Sequence, residues 1–175
     1  MTPEQKENLK AATPGRVERG GGSMTPEQKE NLKAATPKLK ILDVVLVRSA
    51  FTRATEEPTA PGKAWQQHKR GVQYGITDSS EGNARELHVL VQLGTRVLLS
   101  EAAEGLEGVV QFEIEADFVV RYQIAGGLDE SALDVFANFN SVHNVWPFWR
   151  QHVYDIVQRA RLPHLEIPLF SGSKS

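Results

Sequence analysis

From Leu39 onward the chain alternates. Leu39, Ile41, Asp43, Val45 and Val47 interleave with Lys40, Leu42, Val44, Leu46 and Arg48. A period of two marks a strand, and both sets are apolar in the middle, which predicts a strand covered on both faces. Thr52 to Gly62 contains Pro58 and Pro61, which cannot donate to a ladder, so it reads as a loop. After Trp65 a second strand sets Val72, Tyr74 and Ile76 against Gln73, Gly75 and Thr77. In a third, Leu87, Val89, Val91, Leu93 and Val97 oppose Glu86, His88, Gln92 and Arg96. The fourth is the longest: Val110, Phe112, Ile114, Ala116, Phe118, Val120 and Tyr122 against Gln111, Glu113, Glu115, Asp117, Val119 and Arg121. Asp78–Asn83 and Ser100–Gly108 have turn composition. Four successive strands with short turns predict an antiparallel meander with one wet face.

Past Gly126-Gly127 the period becomes helical. Asp129 is placed to cap a short helix bearing Leu133, Phe136 and Ala137. A second helix is expected from about Asn144, with Pro147 in its first turn and an apolar stripe of Trp146, Trp149, Val153, Ile156, Val157 and Ala160. Pro163 stops it. Strands first and helices last predict an α+β fold, a four-stranded sheet with both helices on one face.

The start of the chain is different. MTPEQKENLKAATP occupies 1–14 and recurs identically at 24–37, separated by GRVERGGGS. Each copy has one large aliphatic residue, Leu9 or Leu32, too little for a stacked repeat. All thirteen aromatics of the chain lie beyond residue 37. Residues 1–23 therefore read as a duplicated segment with a Gly-rich linker added by cloning, and the natural chain is expected to start at Met24. Residues 24–37 read as a flexible segment, 38–170 as the folded domain and 171–175 as a short flexible tail.

Composition narrows the function. Across 175 residues, 20 Lys+Arg meet 22 Asp+Glu for a net charge of −2, without the positive excess that nucleic-acid binding needs. There is no cysteine, which excludes disulfides, thiolate metal sites and a thiol nucleophile. No apolar run reaches the roughly 18 residues of a membrane span. A soluble, cytoplasmic protein is expected, with no membrane insertion and no cofactor.

The search for chemistry finds no enzyme signature. His68, His88, His143, His152 and His164 lack metal-ligand spacing, so no metal site is expected. A Ser–His–Asp arrangement stays open, since triads assemble across a fold, but no Gly-x-Ser-x-Gly elbow points to one. Glu113, Glu115 and Asp117 form an acidic row on one strand face, either a solvated face or a docking surface for a basic partner. Phe51 and Trp65 flank the Pro-containing loop, where large apolar groups suit a groove or an interface. Trp146, Phe148 and Trp149 fall within four residues and cannot all face one way on a helix; most of them read as core.

These residues resemble a family. Val145-Trp146-Pro147-Phe148-Trp149-Arg150, followed by Arg161-Leu162-Pro163-His164-Leu165-Glu166-Ile167-Pro168-Leu169-Phe170, is similar to the C-terminal signature of SecB-type chaperones. The order of elements agrees over roughly 38–170, including the Pro-rich crossover loop and the Ile124-Ala125-Gly126 turn. Trp149 departs from the family, which has a small residue there. The resemblance implies an ATP-independent chaperone that holds non-native polypeptides in apolar grooves, for protein export or to protect an antitoxin. It implies a homotetramer, a dimer of dimers, in which sheets pair edge to edge and helices pack between them. It implies client contacts at Phe51, Trp65, Tyr74, Trp146, Phe148 and Trp149. The acidic row Glu113, Glu115 and Asp117 would then be a SecA-facing surface. The chain ends in Ser171-Gly172-Ser173-Lys174-Ser175 without the family's acidic tail, which weighs against SecA and towards an antitoxin client. The alternative is a small-ligand-binding or scaffold α+β protein.

Overall fold

The computed structural model describes residues 10–11, 24–54, 64–78, 85–99 and 109–170. The Pro-containing loop 55–63, the turns 79–84 and 100–108, the tail 171–175 and all of 1–23 except Lys10–Ala11 lie outside the described residues.

Four long strands form the sheet: β2 (Leu39–Arg53), β3 (Ala64–Asp78), β4 (Arg85–Leu99) and β5 (Val109–Ile124). A two-residue strand β1 (Lys10–Ala11) lies beside β3, with Lys10 opposite Tyr74 and Ala11 opposite Gln73. All pairings are antiparallel and the spatial order is β1-β3-β4-β5-β2. This corrects the expected meander. Only β3, β4 and β5 follow one another; β2 pairs with β5, so the consecutive strands β2 and β3 stand at opposite sides of the four-strand order. Alternation reports strand and face but carries no information on neighbours.

The alternation places the core. On β4, Leu87, Val89, Val91, Leu93 and Thr95 are buried; on β5, Phe112, Ile114, Ala116, Phe118, Val120 and Tyr122 are. These side chains share the inner face, the one the helices cover. A register shift between Val97 and Leu98 marks a bulge, and two more fall on β2 at Leu42 and Val47. On the outer face, Lys69 lies across Gly94, where an added Cβ would sit 2.9 Å from Lys69 Cγ. Glycine lets the lysine stem cross the strand.

The N-terminal helix α1 (Pro26–Ala35) is well capped. The Thr25 hydroxyl accepts from Gln28 N at 3.2 Å and Gln28 Oε1 accepts from Thr25 N at 2.9 Å, a reciprocal capping box. The segment expected to be flexible is helical, and Ala35 is fully buried with Leu32 packed against the core. A small alanine suffices because α1 meets the next helix closely.

The second helical region is one run. α2 (Glu130–Val135) passes through a π-helical turn, Phe136–Ser141, directly into α3 (Val142–Arg159). Pro147 therefore sits inside a helix rather than in its first turn, and it has no N–H to offer the His143 carbonyl four residues back. The π turn packs Phe136 edge-on to Tyr122, centroids 5.0 Å apart, and Asn144 Nδ2 donates to Tyr122 Oη at 3.0 Å. Leu133, on the first of the expected helices, is buried inside the chain.

α3 ends in a Schellman motif. Leu162 N donates to Val157 O (3.0 Å), Arg161 N to Gln158 O (3.3 Å), and Arg161 takes a left-handed φ of 50°. Leu162 is buried with Val157, the apolar contact of that motif. Pro163 then directs the chain into an extended segment, 162–170, that runs back along α3.

Candidate functional site

A single helix cannot cover this sheet. It is about 10 Å wide and strands lie about 4.8 Å apart, so it shields roughly two of four. Trp149, Val145 and Val153 are buried beneath α3. At about 100° per residue, His152 and Phe148 project to one flank and Trp146 and His143 to the other. The first flank faces β2, because His152 Nε2 lies 3.1 Å from Ser49 Oγ. The other carries the C-terminal segment: Trp146 Nε1 donates to Pro168 O at 2.8 Å, and Phe170 packs on Trp146 and His143 with centroids 5.3 and 6.2 Å away.

The β2 flank has no such cover among the described residues. Register puts Ile41, Leu46, Ser49, Phe51 and Arg53 of β2 on the inner face, opposite Tyr122, Phe118, Ala116, Ile114 and Phe112. Ile41, Leu46 and Phe51 are nonetheless 45%, 45% and 39% exposed, and Phe148, one helical turn before His152, is 51% exposed. Val45 and Val47 are exposed on the same strand. β2 pairs with β5 on one side, and no described residue pairs with its other side. The result is a 15-residue edge, about 50 Å long, with bare apolar side chains on both faces.

The candidate client contacts divide. Phe51, Trp65 and Phe148 are exposed, Trp146 is partly covered by the C-terminal segment, and Tyr74 and Trp149 are buried. Trp149, 1% exposed, is a core residue with no surface to offer. Phe51 and Trp65 are not brought together in one chain. Phe51 lies opposite Ile114 on the inner face of β2, whereas Trp65 lies opposite Leu98 on the outer face of β3, with two strands between them. Ile41 and Leu46 were missed because their two-faced strand read as covered. The apolar pattern was the signal; the edge position was not visible in it.

The outer face carries the acidic row, and two of its three acids, Glu115 and Asp117, are paired. Glu115 accepts from Arg48 at 2.9 Å and is paired with Lys69; Asp117 lies 3.8 Å from Arg48 and 3.5 Å from Gln92 Nε2. Glu113 faces Arg96 in register. Further along, Arg121 grips Asp43 with two bonds, 2.9 and 2.6 Å, which holds the Asp43 carboxyl below its usual range. A basic partner docking on this row must displace cations already there.

Ser49 and His152 have the atoms of a nucleophile–base pair. Asp155 Oδ1, the acid three residues on, accepts from Gln151 Nε2 at 2.8 Å. The observed role of the Ser49–His152 contact is to fasten β2 to α3. Arg53 does the same at the far end, donating from Nη1 to Ala160 O at 3.3 Å, where the helix dipole is negative. Among the described residues there is no cluster of three metal-ligating side chains and no helix long and apolar enough to cross a membrane.

No protein-family model matches the sequence, and no curated protein sequence does. The architecture is that of a SecB-like α+β fold. Among solved structures it is similar to the SecB-like chaperone Rv1957 of Mycobacterium tuberculosis, in complex with a ChAD peptide from the Rv1956 HigA1 antitoxin. The TM-score is 0.61 at 16% identity, covering 81% of this chain and 97% of that one. The likeness is one of fold.

Proposed function

We propose that the chain is an ATP-independent chaperone that holds extended, non-native polypeptides, with an antitoxin as its client class. The observation that carries this reading is the bare apolar flank formed by Ile41, Leu46 and Phe51 of β2 with Phe148 of α3. Burying one aromatic side chain of about 150–250 Å² at roughly 25 cal/mol/Å² yields about 4–6 kcal/mol gross. Ordering an unfolded client costs about 2–5 kcal/mol. A micromolar site needs about 8 kcal/mol, so two or three anchored side chains suffice. Such contacts read size and apolarity, not sequence, which suits a holdase.

An unpaired apolar edge also suits self-association, and the proposal includes a homotetramer in which β2 edges pair. SecA stays outside it, given the neutralised acidic row. The test is light scattering of a chemically unfolded client diluted with the chain in the absence of nucleotide. Stoichiometric suppression of aggregation is expected; aggregation at the rate of the client alone would overturn the proposal.

A further inference from the structure

The C-terminal segment 162–170 is bound to α3 the way a client would be. It is neither helix nor strand beyond the turn that ends α3, and six residues carry it from Leu162, bonded to Val157, to Pro168, bonded to Trp146 eleven residues back along the helix. Of its five large apolar residues, Leu162, Leu165, Ile167 and Phe170, spaced i, i+3, i+5 and i+8, are buried or packed against the core, and Leu169 points to solvent. Pro163 and Pro168 restrain it to extended backbone without offering donors. After Leu162, among the described residues, its hydrogen bond is from Trp146 Nε1 to Pro168 O, with the Phe170 ring tilted against Trp146 and His143 beside it. It is held by side-chain burial and one bond to a carbonyl, a contact that any extended peptide with suitable side chains reproduces.

We infer that the strip of α3 lined by Trp146 and His143 is a second peptide-binding site, occupied in cis by residues 162–170 and yielded to client segments of the same chemistry. Its ligand is an extended peptide with large aliphatic or aromatic residues at i, i+3, i+5 and i+8. The occupant guards the strip when no client is present, and each client segment that enters pays the cost of displacing it. This inference rests on the chaperone reading above and adds a site and a regulation to it.

The chain has no cysteine, so two can be introduced cleanly. In His143→Cys/Phe170→Cys, a short bifunctional thiosulfonate closes the segment onto α3, and a reductant reopens it without the Phe170 anchor. Binding of a reduced, carboxymethylated unfolded protein is measured in three states. The open double variant is expected to bind about tenfold more tightly than the linked form, with the parent chain between them. In a second arm, a labelled nonapeptide with the sequence of 162–170 is expected to bind Phe170→Ala more tightly than the parent, because the cis segment has lost its anchor. Equal client binding in all three states overturns the inference and leaves the chaperone reading standing. No client binding in any state removes both.

Discussion

Ser49 and His152 stand 103 residues apart in sequence and share a hydrogen bond of 3.1 Å between Oγ and Nε2. The imidazole is packed against Trp149 on its own helix and edge-on to Phe118 of β5. Burial holds it below the ordinary histidine value of 6.5, with Asp155 pulling the other way. A depressed folded value means the unfolded chain binds the proton more readily. The stability this site contributes is therefore present above pH 6.5 and is lost as pH falls through the folded value. His68 is shifted in the same direction by burial and adds to the slope. His152→Gln keeps an acceptor for Ser49 and cannot charge. Urea midpoints between about pH 7.5 and pH 5 should fall less steeply in this variant than in the parent. An unchanged slope would place the pH dependence elsewhere.

Arg161 occupies a left-handed position at φ 50° where a helix usually ends in glycine. The surrounding Schellman bonds are made, so the backbone strain is the remaining cost. Arg161→Gly should stabilise the chain by about 0.5–1 kcal/mol, raising Tm by about 1–4 °C. A lower Tm would mean that the Arg161 side chain contributes more at the helix C-terminus than its backbone costs.

Phe148 and Trp149 are neighbours with opposite roles. Trp149→Ala removes a side chain that is fully enclosed and should cost about 3–5 kcal/mol. Phe148→Ala removes one that is half exposed and should change stability by less than about 0.5 kcal/mol. Client affinity should drop about tenfold in Phe148→Ala with Tm unchanged. Chemical unfolding and client titration of the same two variants check both halves. Full client affinity in folded Phe148→Ala would move the site away from the β2 flank.

The strands were legible because their period is long and regular: the inner face of β5 is the one read from Val110 to Tyr122, except at the bulge near Val110. The helical region was legible in type but not in its joint, since nothing in Phe136–Ser141 breaks a 3.6-residue period, and the π turn there packs Phe136 on Tyr122. The order of strands was hidden because β2 pairs with a strand some 70 residues away in sequence. That one fact decided the site. It set Phe51 and Trp65 on strands with two others between them and left Ile41 and Leu46 uncovered. It also brought Arg48 and Lys69, from the two side strands, onto an acidic row that looked free.

β2 is also where assembly is expected, and where it can be tested without unfolding the chain. Leu133 is a poor position for that test, because a charge there enters the core and costs folding. Val45 and Val47 are 44% and 49% exposed in the single chain, so lysine at either keeps its ammonium in water. Lysines on an edge strand oppose edge-to-edge pairing, and about a two-fold axis each one meets its own copy or a near neighbour. Val45→Lys/Val47→Lys should therefore keep the parental circular dichroism spectrum and fall to at most half the parental mass by light scattering. Client binding through Phe148 on the same monomer should weaken less than mass does, since that side chain belongs to the inner flank. A parent chain that is already monomeric, or a folded double variant of undiminished mass, would rule out assembly through β2.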